Sequence, residues 1–166
     1  IAERARYLIS QAKDDSFNFV HNEVGYNFKL NNLQSAAGLA QAEQLKKFIK
    51  KKKMINKYYN SLFSKSKNYY IAKTPLFSDN NYWINILRIQ SKKPKQEKEK
   101  LIKRLLKNKI ETRPVWKLNH LQKPFKDYES YEISNANYLV NSSLCLPSSV
   151  NLNLKKIRKI VSIINE

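Results

Sequence analysis

The sequence predicts an α/β fold in which one long helix leads into a smaller α+β region. The first observation is a helical pattern of apolar residues from Asn31 or Asn32 to about Phe63. The second is that β-branched and aromatic runs alternate with helical stretches in the second half of the chain. The chain has 166 residues, 42% of them hydrophobic, which is enough for a buried core. We expect two parts, residues 1–64 and 65–166.

The N-terminal elements are a helix, an ordered loop and the long helix. Residues 1–9 have apolar side chains at helical spacing. Residues 13–28 lack a regular period, so we expect a loop in which Gly25 takes a strained backbone. The long helix follows, with Asn31 or Asn32 as its N-cap. Small residues in its first half favour close approach of another backbone; they are Ala36, Ala37, Gly38, Ala40 and Ala42.

The C-terminal elements alternate between strands and helices. The sequence predicts strands at residues 82–89, 110–113 and 144–146, the second stopped by Pro114 and the third by Pro147. It predicts helices at residues 96–107 and 133–140, and a last helix capped by Asn153. Because the chain lacks an initial Met and opens within a helix, we expect it to be the C-terminal part of a longer protein.

The net charge of +19 raises nucleic-acid binding as one function class. However, 26 lysines stand against 6 arginines, whereas a dedicated phosphate or base reader favours the forked side chain of Arg. We read the lysines at 50–53 as a solvated helix face. A small basic nucleic-acid-binding domain is kept as the alternative function.

Other function classes are disfavoured by the residues that the chain contains. A single cysteine, Cys145, excludes an internal disulfide and a cysteine-built zinc site, and we expect it to be a core residue. His21 and His120 are too far apart in sequence for a local metal motif. No apolar run approaches the roughly 20 residues of a membrane span. We therefore expect a cytoplasmic protein that binds no metal and no membrane.

One segment has a composition that suits a phosphate. Asn27 and Lys29 alternate outward from a short extended piece that runs into the N-terminus of the long helix. Free N–H groups and the positive end of the helix dipole favour an anion there, and Lys29 adds a charge. A plain connection between loop and helix remains the other interpretation of these residues.

Three blocks of the sequence are informative when taken together. They are residues 11–41 with Gly25-Tyr26-Asn27, residues 111–122 with Glu111-Thr112-Arg113-Pro114-Val115-Trp116, and residues 144–148. These blocks resemble the DegT/StrS family of pyridoxal-phosphate-dependent nucleotide-sugar aminotransferases, in the family's order and at its spacing, across nearly the whole chain. The sequence of the first block is most similar to enzymes of legionaminic-acid-type and perosamine-type pathways, which act on 4-keto sugars.

The resemblance implies a fold, a cofactor and site residues. The fold would be the C-terminal part of a fold type I aminotransferase, with residues 1–64 as the tail of the large domain plus the connecting helix. Asn27 matches an Asn that reaches the cofactor phosphate of the neighbouring subunit of a homodimer. Lys29 stands where the family usually has Arg, and so keeps the charge without the fork. Arg113, Trp116 and His120 match the segment near the substrate, although a structural role for them stays open.

The resemblance also implies the reaction and what this chain lacks. The family moves an amino group from glutamate to C4 of a nucleotide-linked 4-keto-6-deoxy sugar, in the synthesis of cell-surface polysaccharides and other glycans. The lysine that binds pyridoxal phosphate covalently would precede residue 1, so this chain is expected to be inactive alone. A catalytically dead remnant that keeps only a dimerisation surface is a further alternative.

Overall fold

The computed structural model describes residues 1–15 and 17–166, and its contacts form two units, Ile1–Leu45 and Lys46–Glu166. The first unit contains helix α1 (Ala2–Ile9) and two short antiparallel strands, β1 (Lys13–Asp15) and β2 (Val20–His21). The expectation of a loop over residues 13–28 was therefore wrong for these two strands. They are too short and too irregular in register to show an alternating pattern in the sequence.

The long helix α2 (Asn32–Phe63) begins and ends where the sequence predicts. Asn31 is the N-cap, because its Oδ1 accepts from the backbone N–H of Gln34 at 2.8 Å. The Gln34 side chain accepts from the Asn31 N–H at 3.3 Å, which makes a reciprocal capping box. The helix supplies residues to both units, and the predicted boundary after residue 64 stays a prediction.

The second unit is built on a four-stranded antiparallel sheet. Its order is β3 (Tyr69–Ile71), β4 (Asn85–Ile89), β6 (Ser143–Leu146) and β5 (Arg113–Pro114). Three further helices belong to this unit: α3 (Pro94–Lys107), α4 (Ser134–Asn141) and α5 (Leu154–Asn165). Two single turns of 3-10 helix, Asn119–Leu121 and Lys123–Phe125, lie between β5 and α4.

The hydrophobic core lies within this second unit. Alternate residues of β4, Leu87 and Ile89, are at most 1% exposed and face it. Helices α3 and α5 contribute Leu101, Leu105 and Ile157, each 0% exposed. From α2 come its last turns, with Ile55, Tyr59 and Phe63. The alternation of strands and helices predicted from the sequence thus matches one continuous core.

Two predicted strands differ in their bounds for identifiable reasons. The side chains of Asn80 and Asn81 accept from the N–H groups two residues later, and Tyr82 has a φ of 50°. These turns keep Tyr82 and Trp83 out of β4. Pro114 was expected to stop a strand at residue 113, but it pairs with Leu144 as part of β5. That is tolerated because β5 is an edge strand.

The cap predicted for the last helix is confirmed. Asn153 Oδ1 accepts from the backbone N–H of Lys156 at 2.8 Å, directly before α5. Strand β3 was not predicted, since three residues between lysine-rich stretches carry little periodic signal.

Candidate functional site

The turn that carries Asn27 is fixed by backbone hydrogen bonds to the end of α1. Tyr26 N–H donates to the Leu8 carbonyl at 2.7 Å, and Phe28 N–H donates to the Ile9 carbonyl at 3.1 Å. Asn27 itself pairs with Ser10 as an antiparallel bridge. The backbone position of Asn27 is therefore set by its neighbours on both sides.

Gly25 permits this arrangement through close approach. A Cβ at Gly25 would lie 2.1 Å from the Gln11 carbonyl carbon and 2.2 Å from the Ala12 nitrogen. The φ of Gly25 is not positive, so the expected strained backbone at this glycine was wrong. The left-handed φ values fall on its contacts instead, with 70° at Gln11 and 47° at Ala12. A glycine is needed here for space and not for conformation.

Asn27 and Lys29 share one side of the extended segment before α2. The rings of Tyr26 and Phe28 stack on each other with centroids 5.2 Å apart, so the even-numbered side chains lie on one face. Alternation places Asn27 and Lys29 on the opposite face. Both are exposed, and neither side chain bonds to another described residue. An amide and an ammonium group are thus free to bind a ligand near the N-terminus of α2.

The second unit contains a cleft of about 390 Å³ beside strands β5 and β6. Arg113 contributes a cation, Thr112 and Ser148 contribute hydroxyl groups, and Trp83 contributes an aromatic surface. The Arg113 guanidinium is 3.0 Å from the Glu111 carboxylate. Both side chains of that pair are mostly exposed, so it is weak and Arg113 can change partners.

Lys52 lies in the wall of the cleft. Its ammonium group donates to the carbonyl of Trp83 at 3.1 Å and to the carbonyl of Ser148. Burial lowers the pKa of Lys52, since removal from water disfavours the charged form. Lys52 therefore departs from the solvated helix face expected for residues 50–53, and it ties together the two segments that flank the cleft.

A buried polar network continues from Lys52 along α2. Asn56 Nδ2 donates to Asn85 Oδ1 at 2.8 Å, and Asn85 Nδ2 donates to Ser148 Oγ at 2.9 Å. Tyr59 OH donates to the Pro147 carbonyl at 3.1 Å. Since Lys52, Asn56 and Tyr59 follow each other at helical spacing, one face of α2 holds the segment at residues 147–148 in place.

Trp116 and His120 are near the cleft in different ways. The Trp116 ring lies 6.4 Å from that of Trp83, between ring centroids. His120 is in the first 3-10 turn and is not among the residues lining the cleft. Its Nε2 and the Thr112 Oγ1 are buried without a partner among the described residues. The structure thus brings Arg113 and Trp116 to one region, whereas Asn27 and Lys29 belong to the other unit.

The one thiol that lines the cleft is not activated for nucleophilic chemistry. Cys145 lines it and is half-buried, and burial raises the pKa of its thiol, which makes it a poor nucleophile. Within the described ranges, no three His, Cys, Asp or Glu side chains cluster as metal ligands.

No helix in the part of the chain that the structure covers is long and apolar enough to cross a membrane.

Comparison with known proteins identifies the family. Residues 1–165 match the profile of the DegT/DnrJ/EryC1/StrS aminotransferase family. The chain belongs to this family. The resemblance found in the three sequence blocks is therefore confirmed.

Two curated relatives cover most of the chain. It is 30% identical over 148 residues to the GDP-perosamine synthase of Escherichia coli O157:H7, covering 88% of this chain and 38% of the relative. It is 28% identical over 154 residues to EpsN of Bacillus subtilis (strain 168), by name a candidate pyridoxal phosphate-dependent aminotransferase, covering 90% and 39%. The chain thus spans about two fifths of the length of these DegT/StrS-type relatives.

A solved structure shares the fold. PseC of Helicobacter pylori, an aminotransferase involved in the biosynthesis of pseudoaminic acid, matches with a TM-score of 0.84 and 20% identity. The match covers 98% of this chain and 44% of that chain. The predicted α/β fold of a DegT/StrS aminotransferase is thereby confirmed.

Sequence reasoning missed two residues that line the cleft of this family member, Lys52 and Trp83, and one that bonds to its wall, Asn85. Lys52 is hidden in a run of four lysines, and only its helical spacing with Ile55, Asn56 and Tyr59 distinguishes it. Trp83 was read as part of a strand, although the two asparagines before it signal a turn. Asn85 gave no signal, because its buried partners come from positions 56 and 148.

Proposed function

We propose that this chain is the C-terminal part of a pyridoxal-phosphate-dependent aminotransferase that acts on a nucleotide-linked sugar. The complete enzyme would move an amino group from glutamate to C4 of a 4-keto-6-deoxy sugar, for the synthesis of a cell-surface polysaccharide or other glycan. The observation that carries the proposal is the match of residues 1–165 to the DegT/StrS family. The similarity to a GDP-perosamine synthase supports a nucleotide-linked sugar as the substrate.

Asn27 and Lys29 fit the phosphate of pyridoxal phosphate. Both side chains are exposed and share one face of a backbone that residues 8–10 fix in position. An amide N–H and an ammonium group are suitable donors to phosphate oxygens, and the N-terminus of α2 adds a favourable dipole. When bound, the cofactor supplies the ring that carries the amino group from donor to acceptor. The chain's own contribution is to hold and orient its phosphate.

Arg113, Trp116 and His120 are proposed to bind the substrate. Arg113 faces the cleft and can exchange its exposed Glu111 partner for a phosphate oxygen. Trp116 offers an exposed aromatic surface next to the cleft. The unpartnered Nε2 of His120 is available for a hydrogen bond to a ligand or a water molecule.

The first unit is proposed to lie at the interface of a homodimer with shared active sites. Its large apolar side chains are unusually exposed, with Leu33 at 85% and Phe28 at 71%. A monomer rarely exposes so many large apolar groups, and a second copy would cover them. We expect the dimer in the cytoplasm. We also propose that the lysine that binds the cofactor lies outside these 166 residues, so that this chain alone transfers no amino group.

The test is amino transfer by the complete protein that carries this chain. With pyridoxal phosphate, amino-labelled glutamate and a UDP- or GDP-linked 4-keto-6-deoxy sugar, we expect the label at C4 of the sugar, as read by mass spectrometry. Omission of the cofactor should abolish incorporation. If neither the UDP-linked nor the GDP-linked sugar acquires the label, although the protein is folded and loaded with cofactor, the proposal is overturned. The 166-residue chain should be inactive in the same assay.

The nucleic-acid-binding alternative rests on charge alone. Neither the family nor the relatives support it. The lysine run at residues 50–53 has no aromatic residue interleaved on which a base could stack.

A further inference from the structure

The two tryptophans of the chain form an exposed pair at the cleft. Trp83 is 68% exposed and Trp116 is 64% exposed, and the chain contains only these 2. They come from different segments, one before β4 and one after β5, yet their ring centroids are 6.4 Å apart. Single exposed aromatic rings are common, but two that lie together beside a cleft form a larger apolar surface of the kind that marks a binding site.

The backbone beneath Trp83 is anchored although its ring is exposed. The Trp83 N–H donates to Asn81 Oδ1 at 2.9 Å, and the Trp83 carbonyl accepts from Lys52 Nζ at 3.1 Å. Lys52 is itself held by the Ser148 carbonyl. The ring therefore projects from a fixed position, which lowers the entropy lost when a ligand stacks on it.

The charge beside the pair indicates the class of ligand. Trp83 and Arg113 line the same cleft, so an aromatic surface and a guanidinium are available to one molecule. Planar bases stack on aromatic rings, and guanidinium groups bind phosphates. The planes of the two indoles differ by 40°, so a base stacked on one ring would meet the other at an angle.

We propose that Trp83, together with Trp116, is the platform for the nucleobase of the substrate, with Arg113 directed at its diphosphate. This assignment of Trp83 rests on the proposed function for the existence of a nucleotide. Lys52 acts as a positioning residue, because its ammonium group is bonded to the carbonyls of Trp83 and Ser148.

Nucleotide titration by calorimetry tests this platform in the complete protein. UDP or GDP should bind saturably and much more tightly than inorganic pyrophosphate. Trp83→Ala should weaken nucleotide binding about ten- to hundredfold in the same titration. Trp83→Phe should keep the affinity within a few fold, because a ring is retained.

The matched control is Tyr70→Ala, which removes a partly exposed aromatic ring from β3 at the opposite edge of the same sheet. It should leave the affinity unchanged, and circular dichroism should show all variants folded. The proposal is overturned if neither nucleotide binds the complete protein saturably, or if the Trp83→Ala variant binds nucleotide as tightly as the parent protein. Its failure is distinguishable from failure of the proposed function. If the complete protein with Trp83→Ala labels the sugar normally and with an unchanged KM, the platform is refuted and the proposed aminotransferase function stands.

Discussion

At the scale of single residues, the site depends on Gly25. The backbone at this position approaches the bond between Gln11 and Ala12 so closely that even a methyl group has no room. Gln11 and Ala12 both take left-handed conformations, each of which costs of order 1 kcal/mol or more for a residue other than glycine. The contact that holds the turn with Asn27 therefore has no room for a side-chain atom at residue 25.

Gly25→Ala should lower the free energy of unfolding by about 1–3 kcal/mol, because the clash is with backbone and cannot be relieved by a rotamer change. Gly38→Ala is the matched control. Nothing lies within 4 Å of a Cβ there, so in the isolated chain it should stabilise α2 by up to about 1 kcal/mol. Urea titration followed by circular dichroism measures both changes. Equal effects of the two substitutions would contradict the close approach at Gly25.

Tyr69 gives the protein a defined response to alkali. Burial, reinforced by its hydrogen bond to Glu97, raises the pKa of Tyr69 to about 12 from an ordinary value of 10.0. The folded state thus holds this proton more tightly than the unfolded state. The stabilisation is complete below about pH 10 and is lost as the pH rises to about 12.

We therefore expect the free energy of unfolding to fall as the pH rises across that window. For the Tyr69→Phe variant, we expect the free energy of unfolding to fall less steeply. The comparison should be made with Tyr70→Phe, whose ring is 40% exposed on the next position of β3. Urea unfolding at several pH values gives the slopes. A Tyr69→Phe slope identical to that of the parent chain would show that this group does not contribute.

At the scale of elements, the last part of α2 holds the segment that follows β6. Asn56 and Asn85 are at most 9% exposed and satisfy each other, while Asn85 also bonds to Ser148. Loss of one partner leaves a buried amide without a hydrogen bond, which typically costs about 1–3 kcal/mol. The coupling between these elements is therefore measurable.

A double-mutant cycle of Asn56→Ala and Asn85→Ala should give a coupling energy of about 0.5–3 kcal/mol, because each single change already removes the shared hydrogen bond. Asn80→Ala, paired with Asn56→Ala, is the control, since Asn80 is exposed and bonds elsewhere. Additive effects of Asn56→Ala and Asn85→Ala would mean that the network does not couple α2 to the sheet.

The elements differ in how far their sequences predict them. The bounds of α2 and the cap of α5 followed from local signals, namely apolar periodicity and asparagines at N-cap positions. Strand β3 and the hairpin of β1 and β2 are only two or three residues long, so their pairing partners, and not their own sequence, determine them. Of the residues that line the cleft, the sequence analysis had singled out Arg113, and Trp116 lies next to the lining residue Trp83. It had not singled out Lys52, Trp83 or Asn85, because contacts between distant residues define their roles.

At the scale of the whole molecule, exposed apolar groups predict self-association. Among the described residues of the first unit, one apolar residue is buried, Ala12, whereas most of the large apolar side chains are exposed. Covering them would be favourable by about 25 cal/mol per Å² of apolar surface. The net charge of +19 opposes close approach of two copies over long distances, so association should strengthen as salt screens the charge.

Sedimentation velocity should show the complete protein as a dimer. Ala37→Arg should shift the distribution toward monomer, because the dimer would then bury a charge among the small residues of α2. Lys46→Ala, farther along the same helix, should leave the distribution unchanged. A monomeric parent protein at all concentrations and salt levels would contradict the shared active site.

The most direct measurement is the affinity of the complete protein for pyridoxal phosphate when Asn27 and Lys29 are both changed to alanine. Under the proposed assignment each substitution would remove a hydrogen bond to the cofactor phosphate, so we expect the dissociation constant, read from cofactor absorbance after dialysis, to rise at least about tenfold. Asn151→Ala with Lys155→Ala, an exposed pair in the other unit, should change nothing. Unchanged cofactor affinity in a folded, dimeric Asn27→Ala, Lys29→Ala variant would contradict the assignment of this turn to the cofactor site.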